Sequence, residues 1–456
     1  MFILKKIFNI LSNEKKILNI INNAINISSN PKNKQRKKIS LLLKYEKKNN
    51  LYNLETSFFA WDYLRIHLNT LIENYENKKV VYRKFFDEIS HLFLYKNLSY
   101  LPFFLPTKKV DYIFFGHPRG ELKSNNLLND EYMDHFITNF SSSKKKIIFG
   151  YPHIKYGTSY NYINKRFYIH WIYLIIKIFA FFKFFLFRIN TFYPHQLRKI
   201  GLNIFIAINK EKWWINYLKK TKPKVIFIVD ISSNLSILRA ANKLGVVTCE
   251  VQHGSPDYNK FPYNFYTKNR LSIPTHYISW GSFWKTGLIN YYKRKYFVMG
   301  KNLDKKIPLC KKKNKNMLVI DQRIGRTTLI NKAIQIKKNN KDLNICYRFH
   351  PSISDISEDI DLLRKNNIKI SNPFKKELRD DLKNVRYILA HSSTAIYELA
   401  QSNYDICIVK SEINMDGLMN NINKLFAKKK KFGLLTIDTK KIKFIEKLNY
   451  DFLNDL

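Results

Sequence analysis

Short apolar runs alternate with longer amphipathic stretches from about residue 106 onward, and this alternation predicts strands followed by helices. In the first half the runs are VDYIFF at 110–115, KIIF at 146–149, VIFIV at 225–229 and VVTCEV at 246–251. Polar loops follow these runs, and a helical pattern, SILRAANKLG, comes after the third. Strand, polar loop, helix and strand in this order indicate parallel βαβ units.

The alternation breaks off at a stretch rich in lysine and asparagine, 301–316, and then restarts. The runs of the second half are MLVI at 317–320, ICYRF at 345–349, VRYIL at 385–389 and DICIV at 405–409. We therefore predict an α/β protein with two Rossmann-like domains in tandem and a helical N-terminal extension. The predicted boundaries are a helical region over 1–105, a first domain over 106–300 with a basic aromatic insertion at about 160–224, a linker over 301–316 and a second domain over 317–456.

Polar motifs follow the predicted strands, and in parallel sheets ligands bind outside the carboxyl ends of the strands. After the fourth run stands Gln252-His253-Gly254. Glycine permits a tight turn and the close approach of a ligand, and histidine can act as a general base near neutral pH. The alternative is a structural histidine that caps the loop.

A second motif, Arg348-Phe349-His350-Pro351, ends a strand in the second half. His350 can donate a hydrogen bond to a phosphate, Pro351 fixes the turn, and Arg348 supplies a planar cation suited to oxyanions. Strand alternation predicts that Arg348 and His350 lie on the same side, which favours their joint use.

The run HSSTAIYE at 391–398 contains three small hydroxyl residues that open a helix directly after a strand. The hydroxyl groups of Ser392, Ser393 and Thr394, together with the free N–H groups of a helix start, suit an anion. Glu398 follows about one turn later, where a carboxylate can accept hydrogen bonds from ribose hydroxyls. Ordinary N-capping is the alternative, and it accounts for one hydroxyl rather than three.

Composition limits the function classes less than the motifs do. The chain has 456 residues, 45% of them hydrophobic, so it can bury a core and is not disordered as a whole. Its formal net charge of +45 attracts nucleic acid, anionic lipid and phosphorylated substrates alike, and the abundance of residues with AT-rich codons also contributes to it. The four cysteines lie far apart with no CxxC pair, which argues against a disulfide framework or zinc site and fits a reducing cytoplasm.

An aromatic and cationic segment, FYIHWIYLIIKIFAFFKFFLF at 167–187, has the length of a membrane span. Lys177 and Lys183 inside it make a true span unfavourable. Contact with the interface of an anionic leaflet and packing of a helix between domains both remain open. We expect a cytoplasmic protein, and leave open a peripheral position on the inner face of a bacterial cytoplasmic membrane.

Several well-known catalytic signatures are absent from the sequence. It contains no GxxxxGK[ST], GxGxxG, HExxH or GxSxG motif, which argues against Walker-type hydrolysis, nicotinamide or flavin chemistry, zinc proteolysis and the α/β-hydrolases. The acidic runs at 359–361 and 379–381 are expected to be solvated helix or loop faces rather than metal bridges. We expect no metal and no cofactor.

Four stretches resemble the surface-polysaccharide branch of the GT-B glycosyltransferases. They are FFGHPRGEL at 114–122, EVQHG at 250–254 with ISWGSFW at 278–284, YRFHP at 347–351 and HSSTAIYE at 391–398. That branch includes capsule polymerases, sialyl- and polysialyltransferases, and CDP-glycerol glycerophosphotransferases. The resemblance implies an enzyme of capsule or lipopolysaccharide biosynthesis that moves a sugar from a nucleotide-activated donor to a growing glycan, either free or lipid-linked.

The resemblance also implies roles for particular residues. The second domain would hold the donor, with His350 and the serines at its phosphate and Glu398 at the ribose, while the first would take the acceptor, with His253 as base and Asp230 or Glu121 as alternatives. The full set of candidate donor-binding residues is Gln322, Arg323, Arg348, His350, Pro351, Ser392, Ser393, Thr394 and Glu398. Arg348 stands where many relatives have lysine, and the acidic motif of sialyltransferases is not evident, which argues against a sialic acid donor.

Two other functions remain open at the level of sequence. One is a polyol-phosphate transferase that uses CDP-glycerol or a similar donor, since its motifs are nearly the same. The other is a non-catalytic scaffold or polyanion-binding protein, for which the pI of about 9.9 is the main argument. No RRM, KH, zinc-finger or helix-turn-helix signature supports specific binding of nucleic acid.

Overall fold

The structure is a computed structural model of the whole chain. It describes residues 19–20, 23–24, 26–28, 35–51, 61–65, 68, 108–116, 120–122, 128–130, 132–133, 137, 139, 145–150, 161–164, 195–231, 234–254, 271–287, 295–300, 308, 315–322, 325–350, 356–373, 375–391, 393, 395–400, 402, 404–409, 427–437, 445–446 and 449–451.

The apolar runs of the first half form a seven-stranded sheet in which every neighbouring pair is parallel. Its strand order is β5-β4-β1-β6-β7-β8-β9. The bounds are β1 Tyr112–Phe115, β4 Lys146–Gly150, β5 Asn161–Asn164, β6 Val225–Ile228, β7 Val247–Val251, β8 His276–Ser279 and β9 Lys295–Val298. Between β1 and β4 the chain forms a separate antiparallel pair, β2 Gly120–Leu122 and β3 Leu128–Asp130.

The second half forms another seven-stranded sheet, with the order β12-β11-β10-β13-β14-β16-β15. The first five strands in this order are parallel, and the last two join by antiparallel pairing. The bounds are β10 Asn316–Ile320, β11 Asn344–Arg348, β12 Lys369–Ser371, β13 Tyr387–Ala390, β14 Asp405–Ile408, β15 Ala427–Lys431 and β16 Leu434–Ile437. Two mainly parallel sheets in tandem confirm the predicted fold class.

Helices connect the parallel strands and cover the sheets. Their bounds are α1 Gln35–Lys48, α2 His195–Thr221, α3 Leu235–Lys243, α4 Arg326–Asn339, α5 Ser357–Lys365, α6 Leu378–Leu382 and α7 Ala395–Leu399, with a 3-10 helix at Ser282–Gly287. Helical residues between 19 and 68 share one apolar core with α2, α3 and the first sheet. The N-terminal helices are therefore part of the first unit's core.

A buried group of charges fixes the N-terminal helices to the first unit. The guanidinium of Arg239 on α3 bridges Asp62 and Glu211, and Nε lies 2.8 Å from the Glu211 carboxylate. Tyr63 donates its hydroxyl hydrogen to the same carboxylate at 2.7 Å, and Lys243 Nζ lies 2.6 Å from it. Because burial leaves little water to replace a lost partner, removal of any one charge would leave another uncompensated.

The two units also share an apolar core. It contains Trp280 and Trp284 from the first unit and Ile320 and Tyr397 from the second. The rings of Trp284 and Tyr397 meet edge to face with their centroids 4.7 Å apart. The C-terminal chain returns to the first unit, where the Glu446 amide donates to the Trp280 carbonyl at 2.8 Å.

Two sequence predictions fall largely outside the described residues. The segment at 167–187 lies outside them entirely, and of the linker at 301–316 only residues 308, 315 and 316 are described. The domain boundaries stay predictions. Among the helices that the structure describes, none is both long and apolar enough to cross a membrane.

Candidate active site

The polar motifs of the first unit stand where its parallel strands end. Asp230 follows β6 and Gln252 with His253 follows β7. Since β6 and β7 are neighbours in the sheet, their carboxyl ends place these residues side by side. The prediction that these motifs lie at the carboxyl edge of the sheet is confirmed.

Gln252 is the anchor of the turn that carries His253. Its backbone amide donates to the Ile278 carbonyl at 2.9 Å, so the chain still follows β8 after β7 has ended. The buried side chain donates from Nε2 to the Gly254 carbonyl at 3.0 Å and accepts the Trp280 amide on Oε1 at 2.9 Å. Both the nitrogen and the oxygen of this amide are hydrogen-bonded, so Gln252 holds the backbone of the turn that carries His253. His253 itself is half-buried.

Tyr132 supports the same turn from the other side, and the sequence motifs did not identify it. Its hydroxyl donates to the His253 carbonyl at 3.2 Å, and the two rings meet edge to face at 6.4 Å. The buried Asp130 carboxylate accepts the amides of Tyr132 and Met133, each at 2.9 Å, which fixes the turn after β3. The pattern Asp-x-Tyr after a short strand is the only sequence signal for this contact.

The two alternative bases lie on elements close to the His253 turn. Asp230 follows the neighbouring strand β6, and Glu121 lies in the hairpin that precedes Tyr132. The Asp230 carbonyl accepts the side-chain amide of Asn234 at 2.7 Å where α3 begins, and Asp230 itself is half-buried. Glu121 lies on β2, paired with Asn129 on β3, in the hairpin that leads into Asp130 and Tyr132. The choice of base among His253, Asp230 and Glu121 remains a prediction.

In the second unit three neighbouring strands, β11, β10 and β13, end in polar residues. Asp321 and Gln322 follow β10, His350 follows β11, and His391 follows β13. The strand order therefore gathers four polar residues from three separate parts of the sequence at one edge of the sheet.

Asp321 organises the His350 turn and was not among the predicted site residues, although it directly precedes Gln322. Its carboxylate accepts the Tyr347 hydroxyl at 2.8 Å and the His350 amide at 3.3 Å, and Arg326 Nε lies 3.8 Å away. The side chain is buried, and this burial raises the pKa of Asp321 above its ordinary value. In the sequence, Asp321 is simply an acidic residue at a strand end, and this position does not predict its hydrogen-bond partners.

Gln322 lies against His391, with Nε2 of the amide 2.6 Å from Nδ1 of the ring. Both side chains are buried. An amide nitrogen can only donate, so Nδ1 accepts and the neutral ring carries its proton on Nε2. Gln322, a predicted donor-binding residue, therefore sets the tautomer and orientation of a histidine at the same strand edge.

The His391 ring packs on the turn that begins α4. Gly325 has φ +78°, and a Cβ atom on it would stand 3.1 Å from Nε2 of His391. Residues other than glycine rarely adopt this backbone conformation. In the part of the chain that the structure describes, no side chain caps this helix start. Glycine thus lets the ring approach the backbone where the first N–H groups of α4 emerge.

The hydroxyl run of the second unit is described only in part. Ser393 begins the turn into α7, its Oγ accepting the Ala395 amide at 3.4 Å, and Glu398 is half-buried on that helix. Ser392 and Thr394 lie outside the described residues, as do Arg323 and Pro351. The contact of Tyr397 with Trp284 attaches this short helix to the first unit.

Arg348, at the end of β11, makes three hydrogen bonds of its own. Its guanidinium donates from Nη1 to Asp381 at 2.6 Å and to Ser371 at 3.3 Å, and from Nη2 to the Lys376 carbonyl at 2.9 Å. The structure shows this ion pair, while the joint use of Arg348 and His350 stays a prediction. It also corrects the expectation of a solvated acidic run at 379–381, because the Asp381 carboxylate is buried against Arg348. At 359–361, Asp359 pairs with Arg326 at 2.8 Å.

Metal-ligand side chains are not clustered in the described part of the chain, where no group of three or more His, Cys, Asp or Glu residues could hold an ion. Every described cysteine is a free thiol. Burial raises the pKa of Cys346 to about 11, and that of Cys407 to about 12, so both stay protonated at neutral pH.

No protein-family model and no curated protein sequence matches the chain. Solved structures that resemble it include the lipopolysaccharide outer core galactosyltransferase WaaB in its apo form, which is 12% identical over 68% of this chain and 87% of WaaB, with a TM-score of 0.38. The UDP-N-acetylglucosamine 2-epimerase from Rickettsia bellii is 14% identical over 65% of this chain and 78% of its own, with a TM-score of 0.39. MnaA of S. aureus, solved with UDP, is 14% identical over 67% and 79%, with a TM-score of 0.38. The strand orders of the two sheets, rather than these likenesses, define the fold.

Proposed function

We propose that the chain is a glycosyltransferase that moves a sugar from a nucleotide-activated donor to a growing cell-surface glycan, as in capsule or lipopolysaccharide biosynthesis. The observation that carries this proposal is the pair of polar strand edges, one on each of two parallel sheets. Parallel sheets bind ligands at the carboxyl ends of their strands, so two such edges suit a reaction with two substrates.

The second unit is proposed to hold the donor. His350, His391 and the start of α4 offer N–H groups at the edge where Asp321 and Gln322 set their positions. Such groups suit a nucleotide phosphate, whose negative charge grows as it departs. Glu398 would bind the ribose hydroxyls. Arg348, whose guanidinium also binds Asp381, stays a candidate for the donor phosphate.

The first unit is proposed to supply the base. In the reaction the acceptor hydroxyl oxygen bonds to the anomeric carbon, and the bond from that carbon to the donor phosphate breaks with its electrons on the phosphate oxygen. The acceptor proton passes to the base, for which His253 is preferred because both Gln252 and Tyr132 fix its turn. A base and fixed N–H donors suffice for this displacement, so we propose that it needs no metal.

A donor screen tests the proposal and separates it from the two alternatives. Purified full-length protein is heated with UDP, CDP, CMP, GDP and their sugar or glycerol conjugates, because a ligand that binds the native state raises the melting temperature. A shift with one nucleotide and its sugar conjugate supports a glycosyltransferase. A shift confined to CDP-glycerol supports the polyol-phosphate transferase, and no shift with any nucleotide would favour the scaffold.

A further inference from the structure

The end of the first sheet opposite the candidate active site carries a concentration of lysines. The residues just before β1, β4 and β6 lie at one level, because Tyr112 pairs with Lys146 on one side and with Val225 on the other. Strands lie about 4.8 Å apart, so these three loops fall within roughly 10 Å of one another. The lysine edge, as we call this surface, consists of Lys108, Lys109, Lys145, Lys219, Lys220, Lys222 and Lys224, all of them exposed.

Hydrogen bonds make the lysine edge a fixed surface. The Val110 amide donates to the Thr221 carbonyl at 2.9 Å, and the Lys224 amide donates to the Asp111 carbonyl at 2.9 Å. The Lys145 amide donates to the Asp111 carboxylate at 3.0 Å. The backbones of the three loops are thereby tied together.

Negative charge does little to neutralise this surface. Within 108–111, 145 and 219–224 the one acidic residue is Asp111, and its ion pair with Lys224 spans 3.4 Å at an exposed position. Such pairs are weak in water. Among the described residues that directly follow β1, β6, β7 and β8, by contrast, none is a lysine. Among these described residues, positive charge is therefore concentrated at the edge away from the site.

We propose that the lysine edge docks on an anionic phospholipid surface. Clusters of four to eight lysines or arginines are attracted to anionic headgroups, and this attraction needs only cations within a Debye length of the surface. Surfaces that bind single-stranded nucleic acid without sequence preference combine cations with exposed aromatic rings, and the nearby Tyr112 and Tyr217 are buried. The described ranges of the lysine edge, 108–111, 145 and 219–224, contain no aromatic residue, so this edge suits a bilayer better than a single nucleic acid strand.

This inference extends the proposed function by naming a partner surface and an orientation. The strands are four or five residues long, so the candidate site lies roughly 15 Å from the lysine edge. With that edge on a bilayer, the site opens away from the membrane, where the distal end of a growing glycan would reach it. Membrane docking does not depend on transfer chemistry, so either proposal can fail without the other.

Vesicle co-sedimentation of the full-length protein tests this proposal. The test variant carries Lys109→Gln, Lys145→Gln, Lys219→Gln and Lys220→Gln, which spares Lys224 with its ion pair and Lys222 with its positive φ. The matched control carries Lys338→Gln, Lys341→Gln, Lys365→Gln and Lys375→Gln, four exposed lysines of the second unit. Both variants lose the same charge, and melting temperatures check that both still fold.

At about 0.15 M salt we expect the wild type to sediment with vesicles of phosphatidylcholine and phosphatidylglycerol, but not with phosphatidylcholine alone. The lysine-edge variant should bind at least about tenfold more weakly, and the control variant within about twofold of wild type. No binding by the wild type, equal losses in both variants, or binding to a DNA duplex in place of vesicles would each overturn the proposal. The nucleotide screen is unaffected by any of these results.

Discussion

The side-chain amide of Gln322 holds the imidazole of His391, with 2.6 Å between Nε2 of the amide and Nδ1 of the ring. The two residues are separated by 69 positions in the chain and meet because β10 and β13 are neighbours. This contact fixes which ring nitrogen carries the proton, and it directs a polarised N–H toward the turn at Gly325. It is the most specific arrangement at the proposed donor edge.

Gln322→Glu should reverse the polarity of this contact while keeping its shape. A carboxylate accepts but does not donate, so His391 would have to carry its proton on Nδ1. Nitrogen-15 chemical shifts of the labelled imidazole report the change directly. Because the substitution adds a negative charge beside the proposed phosphate position, we expect nucleotide affinity to fall about tenfold. An Nδ1 proton already present in the wild type would contradict the arrangement.

Gly325→Ala should destabilise the protein more than a matched glycine substitution elsewhere. Gly245 has φ +73° and nothing within 4 Å of an added Cβ, whereas the Cβ at Gly325 would stand 3.1 Å from His391. Both variants incur the strain of a left-handed alanine, about 1–2 kcal/mol. Gly325→Ala adds overpacking, so urea unfolding should show a further loss of about 1 kcal/mol. Equal losses of unfolding free energy in the two variants would mean that the His391 ring moves aside without cost and would contradict this prediction.

Tyr132→Phe should lower turnover without changing donor affinity. The substitution removes the hydroxyl that donates to the His253 carbonyl and leaves the ring in place. Loss of one such hydrogen bond corresponds to a decrease of about threefold to tenfold in kcat if the turn positions the base. Tyr404→Phe, which removes a hydroxyl that donates to Pro308 at 2.6 Å, is the control and should leave turnover unchanged. Equal effects in both variants would indicate general destabilisation.

Asp321 should make stability fall as the pH rises from acid to neutral. Burial raises its folded-state pKa above 3.8, so its contribution is complete below the unfolded pKa and is lost as the pH passes the folded one. The free energy of unfolding, measured in urea, should therefore fall for the wild type relative to Asp321→Asn as the pH rises from about 4 to 7.

Asp380→Asn is the control, for which we expect the opposite dependence of stability on pH. A hydrogen bond from Lys383 lowers the pKa of exposed Asp380, so its small contribution is lost as the pH falls. A pH-independent difference between the wild type and Asp321→Asn would show that the carboxylate is as well solvated in the folded protein as in the unfolded one.

The sequence predicted the sheets well because runs such as 225–229 and 317–320 are short, apolar and flanked by polar loops. It also predicted that His253 and His350 would stand at strand ends. It did not predict Tyr132, Asp321 or the pairing of Gln322 with His391, because these contacts depend on strand order, which apolar patterning does not encode. Strand alternation also predicts a joint role for Arg348 and His350, and it did not predict that Arg348 would pair with Asp381, 33 residues away.

The central claim is that the second unit binds a nucleotide-activated donor while the first supplies the base. Calorimetric titration of the nucleotide identified by the donor screen into wild type, His350→Ala and His253→Ala tests this division directly. We expect His350→Ala to weaken binding at least about tenfold and His253→Ala to bind as the wild type does while its turnover collapses. Equal affinity in all three proteins, with turnover unchanged in both variants, would contradict the account.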